Sequence, residues 1–97
     1  MSVLQINFKD NVAVVLEPAA AVGRVLQVRD PRGGVNAVPL KDPIPYGHKV
    51  AIRPIAEGEH IIKYGEVIGG ASRAIAPGEH VHVHNMESLR GRGDLGK

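Results

Sequence analysis

Three histidines stand at alternate positions near the end of the sequence: His80, His82 and His84. If this segment is a β-strand, side chains at alternate positions project from one face, about 6.5–7 Å apart, and Val81 and Val83 pack on the other face. Imidazoles bind divalent metal ions, and a neutral imidazole is a general base near pH 7. The same spacing also fits the solvent-facing side of an edge strand. The run therefore predicts either a metal or acid–base site or an exposed polar face.

Two further segments carry residues suited to binding an anion. His48 and Lys49 follow a glycine, and Lys63 precedes another glycine turn. An imidazole and an ammonium group on tight turns can contact a carboxylate together. Single surface lysines and loop histidines are more often simply solvated, so this alternative stays open. His60 precedes two isoleucines and has no neighbouring imidazole, which makes it the weaker candidate.

Composition excludes several classes of function. The 97 residues include no cysteine, which excludes disulfides, thiolate metal sites and a cysteine nucleophile. Phe, Tyr and Trp make up 3% of the chain and the formal charge is +2, so a surface that stacks nucleic-acid bases is not expected. No apolar run approaches the roughly 18 residues of a membrane span, and the first residues do not resemble a signal peptide. We expect a cytoplasmic protein that contacts neither membranes nor nucleic acid.

The candidate residues do not make up a complete active site. The sequence contains no recognisable Ser-His-Asp arrangement, phosphate-binding loop or catalytic pair of carboxylates. It offers a row of histidines and a few cations. This incompleteness predicts a subunit that completes the site of a larger partner, with a small anionic substrate.

The elements that must position these residues are predicted to be short strands. Val occurs 13 times and Ile 8 times, and 12 Gly and 7 Pro break the chain into strand-length pieces. Only 17–22 could form a helix, of one or two turns. Residues 51–60 (AIRPIAEGEH) and 71–80 (ASRAIAPGEH) are identical at seven of ten positions, which predicts two equivalent corners with Gly58 and Gly78 at positive φ. We predict one all-β domain over 1–85 and a flexible tail or docking arm over 86–97.

Five segments resemble the SAF domain of the altronate/galactarate dehydratase family. They are 44–51 (IPYGHKVA), 55–59 (IAEGE), 62–69 (IKYGEVIG), 75–85 (IAPGEHVHVHN) and 87–94 (ESLRGRGD). The likeness runs from about Asp10 to Asp94. It implies a β-clip fold and the dehydration of a sugar acid to a 2-keto-3-deoxy acid. Family members are associated with a divalent metal such as iron(II), with manganese or magnesium as alternatives.

The resemblance also implies a larger catalytic partner. Some members carry this domain fused ahead of a much larger catalytic domain, whereas sulfolactate sulfo-lyases have it as a small subunit. This chain resembles the separate small subunit. In one alternative, the metal is bound mainly by the partner subunit. Two alternatives remain: a sulfolactate sulfo-lyase small subunit, and a non-catalytic SAF module that binds carbohydrate. Formation of a homo-oligomer is a further expectation.

The chemistry of dehydration gives each candidate residue a role. Removing the proton next to a carboxylate and expelling a β-hydroxyl needs a base, an acid and a group that stabilises negative charge. The residues expected to supply these functions are catalytic His82, His84 and His48, metal ligands His80, His82 and His84, and substrate-binding Lys49, Lys63 and Asn85.

Overall fold

Short strands separated by glycine and proline turns account for the secondary structure of the chain. The computed structural model describes residues 2–18 and 21–88, and this part contains nine strands and no helix. The strands are β1 Ser2–Leu4, β2 Val12–Val14, β3 Val25–Arg29, β4 Val35–Pro39, β5 Lys49–Ala51, β6 His60–Lys63, β7 Glu66–Ala71, β8 His80–Val81 and β9 Met86–Ser88. The all-β prediction is therefore confirmed, and the arrangement is consistent with a SAF-like β-clip.

The strands form three small sheets, in the orders β1-β3-β4, β2-β5-β8 and β6-β7-β9. β1 runs parallel to β3, and every other strand pair is antiparallel. The β3–β4 hairpin closes at Asp30, whose carboxylate accepts the backbone N–H groups of Arg32 at 2.8 Å and Gly34 at 2.9 Å. This is the turn chemistry that the Asp-Pro-x-Gly-Gly sequence predicts.

The β2-β5-β8 sheet lies between two apolar cores. Successive residues of its strands alternate between them: Ala13 and Val50 belong to one core, and Val12 and Ala51 to the other. Both faces of this sheet are thus covered, which explains why β2 comes from a continuous apolar run rather than an alternating one. Val81 of β8 is fully buried in the second core, so β8 is anchored directly beside the histidine run.

The internal repeat forms two corners related by an approximate two-fold axis. Ile55 and Ile75 pair at this axis through reciprocal N–H to C=O hydrogen bonds of 2.9 and 2.8 Å. Two further pairs of hydrogen bonds are related in the same way. Ala51 N–H donates to Glu79 C=O (3.0 Å), and Ala71 N–H donates to Glu59 C=O (2.9 Å). Gly58 N–H donates to Ala71 C=O (2.8 Å), and Gly78 N–H donates to Ala51 C=O (2.8 Å). Gly58 and Gly78 have φ of 83° and 91°. The predicted equivalence of the corners is confirmed.

Two predicted boundaries differ from the structure. The domain was expected to end at Asn85, but β9 pairs with β7 (Gly69 with Ser88), so the fold includes 86–88. Because 89–97 lie outside the described residues, the predicted tail is tested only at its start. No helix forms within 17–18 or 21–22, and 19–20 are likewise outside the described part. No helix in the described ranges is long and apolar enough to cross a membrane.

Candidate functional site

Four imidazole rings meet where β5 begins and β8 ends. Nδ1 of His48 lies 2.9 Å from Nε2 of His80, within hydrogen-bond distance. The ring centroids of His48 and His82 are 4.7 Å apart, and those of His80 and His84 are 5.3 Å apart. The predicted association of the three alternate histidines is thus present, and His48, 32 residues earlier, joins them. We call these four residues the imidazole cluster.

The backbone of the imidazole cluster turns instead of continuing as a strand. β8 ends at Val81, and the N–H groups of Asn85 and Met86 both donate to the C=O of His82, at 3.1 and 2.9 Å. The prediction that the three histidines lie on one face of a continuous strand is therefore wrong, although the rings do meet. Val83, predicted to pack, is 80% exposed. A tight turn folds His84 back towards His80.

Asn85 holds this turn in place with its side chain. It is 1% exposed; Oδ1 accepts the N–H of His82 at 3.0 Å, and Nδ2 donates to the C=O of His80 at 2.9 Å. Both polar atoms are thus committed to the backbone. The predicted role of Asn85 in contacting substrate does not fit this geometry, because a buried and fully bonded amide is not available to a ligand. Its position instead makes it a support for two histidines.

The same support exists in the other half of the pseudo-symmetric fold. Asn11 is also buried; its Nδ2 donates to the C=O of His60 at 2.8 Å, and its Oδ1 accepts the N–H of Ile62 at 2.8 Å. His60 corresponds to His80 through the repeat, but its exposed side chain has no ring contact with the other histidines. His60 therefore lies outside the imidazole cluster, in agreement with its lower ranking from sequence.

His48 reaches the cluster through the pairing of β5 with β8. Val50 is opposite His80 and Lys49 is opposite Val81. His48, the residue just before β5, therefore comes next to His82, the residue just after β8. Gly47 has a φ of 79°, and its N–H donates to the C=O of Val15 at 2.7 Å. This bond ties the start of β5 to the end of β2.

Burial favours the neutral form of His80 over its charged form, compared with a free histidine. Its pKa is lowered, first by burial and then by the neighbouring imidazoles of His48, His84 and His82, with Asp42 opposing the shift. A hydrogen bond between two ring nitrogens requires one N–H and one lone pair. One of the facing nitrogens of His48 and His80 therefore donates and the other accepts, and the tautomers decide which.

Two lysines, Lys49 and Lys63, interact electrostatically near the start of β5, where the strand register places Lys49 opposite Val81 and not opposite a histidine. The pKa of Lys49 is lowered by burial and, to a smaller extent, by the positive charge of Lys63. Nζ of Lys63 lies 5.2 Å from the ring centroid of Tyr64. The ion pair found among the described residues joins Arg24 and Glu17, at 3.4 Å. Neither lysine is therefore paired with a described carboxylate. Two neighbouring ammonium groups without a counter-ion favour an anionic ligand.

The imidazole cluster fits a metal ion only in part. Nitrogens 2.9 Å apart, as in His48 and His80, suit adjacent positions around an ion with metal–nitrogen distances of about 2.1 Å. No group of three or more His, Asp or Glu in 2–18 and 21–88 is arranged to hold a metal ion, so His80, His82 and His84 do not form the predicted three-ligand set. A metal at this place needs further ligands from outside the described residues.

Sequence reasoning missed the contact that defines the imidazole cluster. It named His48 as a catalytic candidate and grouped it with Lys49 and Lys63 around the substrate, but it did not predict that the ring of His48 meets those of His80 and His82. This contact joins residues on different strands, and the only signal for it was the strand alternation of residues 48–53. The structure brings four histidines together and makes Asn85 their support.

Comparison with known proteins points to one family. Residues 1–89 match the model of the altronate/galactarate dehydratase SAF domain. The chain is 55% identical over 51 residues to (2R)-sulfolactate sulfo-lyase subunit alpha of Chromohalobacter salexigens, covering 53% of this chain and 54% of that subunit. It is 39% identical over 87 residues to altronate dehydratase of Bacillus subtilis, covering 90% of this chain and 16% of that enzyme. Against altronate dehydratase of Escherichia coli the identity is 41% over 88 residues, 91% of this chain and 17% of that enzyme.

These matches and the all-β fold lead to the same assignment. The chain spans about half the length of the sulfo-lyase subunit and about one sixth of each altronate dehydratase. The family model covers all of the described residues, including the imidazole cluster and both lysines. The chain belongs to the altronate/galactarate dehydratase SAF domain family.

Proposed function

We propose that this chain is the small subunit of a lyase that dehydrates a sugar acid to a 2-keto-3-deoxy acid. The observation that carries the proposal is the imidazole cluster; Lys49 and Lys63, which pair with no carboxylate among the described residues, add positive charge on the strands β5 and β6. The cations suit the substrate carboxylate, and the imidazoles suit proton transfer at the carbon next to it. The cytoplasmic location expected from the sequence remains a prediction.

In this proposal the lysines orient the substrate and the histidines move protons. The lysines would hold the substrate carboxylate. His82 is the favoured base, because its ring approaches both His48 and His80. His84, which is exposed, would protonate the departing hydroxyl. The proton gained by His82 then replaces the one lost by His84, so the dehydration needs no net proton from solvent.

A divalent metal, iron(II) in the family expectation, belongs to the proposal as a group shared with the partner. When bound, it would polarise the substrate carboxylate and so acidify the neighbouring C–H. His48 and His80 are the residues of this chain whose nitrogens lie close enough to serve as neighbouring ligands, and they would then bind the metal in place of the hydrogen bond between them. The larger subunit would supply the other ligands.

A sulfolactate sulfo-lyase is the second candidate. It is favoured by the 55% identity to a sulfo-lyase alpha subunit, higher than the identity to either altronate dehydratase, although over a shorter segment. Both reactions remove a proton next to a carboxylate and expel a β-substituent, hydroxide in one and sulfite in the other. The lysines and histidines would play the same roles in both reactions.

The test is activity of the complex purified through this chain. The chain, tagged at its C-terminus and expressed in its own host, is isolated under gentle conditions and supplied with altronate, galactarate and (2R)-sulfolactate. Formation of a 2-keto-3-deoxy acid supports the dehydratase, and release of sulfite from sulfolactate supports the sulfo-lyase. A chain that is isolated alone and inactive, yet binds a sugar acid, is instead a binding module.

The role of the imidazole cluster is tested by a matched pair of variants. His82→Ala is expected to lower kcat by about 100-fold or more, the usual contribution of a positioned acid–base group. His60→Ala removes a histidine outside the cluster and should leave kcat unchanged. Equal activity of the two variants would remove His82 from the mechanism.

A further inference from the structure

An apolar groove of about 480 Å³ opens on the surface between β1, β2 and the turn after β6. It is lined by Ser2, Val3, Leu4, Ile6, Val14, Leu16 and Tyr64. Four of its large side chains are exposed, and the most exposed, Leu16, leaves 66% of its surface in solvent. A surface that collects several exposed apolar side chains typically marks an interface. The apolar lining makes this a surface for a polypeptide segment, not for a hydrophilic sugar acid.

The groove adjoins the candidate site through two direct connections. Val14 lines the groove and pairs with Lys49 across β2 and β5. Tyr64, on another side, carries the Nζ of Lys63 over its ring at 5.2 Å. A chain bound in the groove would therefore lie next to the two lysines.

The charge at this edge selects the kind of partner. A two-fold contact between two copies presents the same patch from both sides, so it would add the second copy's lysines to an edge that already carries Lys49 and Lys63. Lys49 already has a pKa lowered by burial and by Lys63, which shows that further positive charge here is unfavourable. A different chain can place a carboxylate against the lysines, which relieves the repulsion.

We propose that this groove is the docking surface for the larger catalytic subunit, which inserts an apolar segment flanked by an acidic side chain. The inference rests on the proposed function, because it takes the lyase complex as the context of the site. Docking in the groove would bring groups of the larger subunit next to Lys49 and Lys63. It would also cover Leu4, Ile6, Leu16 and Tyr64.

The experiment measures binding of the larger chain to groove and control variants. The larger chain is the one that co-purifies with lyase activity, identified by mass spectrometry and then separated from this subunit. Leu16→Asp should weaken its binding by about tenfold or more, as expected for a charge placed in a buried contact. Val35→Asp changes an apolar residue of β4 that is 51% exposed and lies outside the groove, and it should change the affinity by less than about twofold.

A second measurement distinguishes loss of the docking contact from misfolding of the Leu16→Asp variant. A photoreactive phenylalanine analogue at position 16 should crosslink to the larger subunit in the active complex, and the analogue at position 35 should not. Wild-type affinity of Leu16→Asp in an active complex, or a crosslink from position 16 to a second copy of this chain, would overturn the docking surface and leave the proposed function intact. Absence of any larger chain together with absence of activity would overturn both.

Discussion

The two glycines of the internal repeat should respond very differently to the same substitution. Gly58 and Gly78 both have positive φ, 83° and 91°. A Cβ at Gly58 would have no atom within 4 Å. A Cβ at Gly78 would overlap the backbone C=O of Pro39 and lie 3.2 Å from the N atom of Lys41. Both neighbours are backbone atoms, which cannot rotate away as a side chain does.

The magnitudes follow from these surroundings. Placing alanine in the left-handed region costs about 1–2 kcal/mol at either position. At Gly78 the overlap adds about 1–3 kcal/mol, the usual cost of forcing atoms into a packed region. Gly78 also accepts the N–H of Lys41 at 2.9 Å and donates to the C=O of Ala51 at 2.8 Å, so a shift of its backbone would strain both bonds. We expect Gly58→Ala to cost about 1 kcal/mol and Gly78→Ala about 3 kcal/mol or more.

Thermal unfolding followed by far-ultraviolet circular dichroism measures the difference, because the chain has no Trp for fluorescence. In a domain of this size 1 kcal/mol shifts Tm by about 4–8 °C, so Tm should fall by about that amount in Gly58→Ala and by about 12–24 °C in Gly78→Ala. The change in unfolded-chain entropy is the same in both variants and cancels in the comparison. Equal Tm values would refute the close approach of Pro39 to the second corner.

Three further outcomes are expected. The free energy of unfolding should fall as the pH decreases below 6.5, because His80 takes up a proton there in the unfolded chain, whereas native His80, with its lowered pKa, does so only at a lower pH. In urea titrations, the unfolding free energy of His80→Asn should depend less on pH, and an unchanged pH dependence would contradict this. Asn85→Ala and Asn11→Ala should each lower the free energy of unfolding by about 2–3 kcal/mol, because each leaves two backbone groups unpaired. Only Asn85→Ala should also lower kcat of the complex, and equal kcat values would speak against a positioning role for Asn85. Lys63→Met should raise KM for the anionic substrate by about tenfold with a smaller change in kcat, and an unchanged KM would remove Lys63 from substrate binding.

Local chemistry explains why much of the fold could be predicted from sequence. Turn residues such as Asp30 and Gly58 act through their own backbone or that of near neighbours, so their effect is visible in a short window. The seven identities between the two repeat segments predicted equivalent corners, and the reciprocal hydrogen bonds at Ile55 and Ile75 agree. The family resemblance rested on ordered motifs of the same kind and was confirmed by the match over residues 1–89.

The candidate site depended on pairing between distant strands. The alternate spacing of His80, His82 and His84 predicted contact only if the strand continued, but β8 ends after Val81. The turn that replaces it is held by Asn85, whose buried amide satisfies two backbone groups that have no strand partner. A sequence pattern does not reveal which backbone groups lack partners, since that depends on where neighbouring strands end.

The all-β class, the equivalent corners and the membership of the family can be predicted from the sequence, because they follow from local propensities and from motif order. Three other features depend on the three-dimensional fold: His48 lies within hydrogen-bond distance of His80, Lys49 interacts with Lys63, and β9 extends the fold past Asn85. Each of these contacts is made by strand register between residues that are far apart in the chain. Register is set by the packing of whole sheets against the two cores, and no single segment of the sequence contains that information.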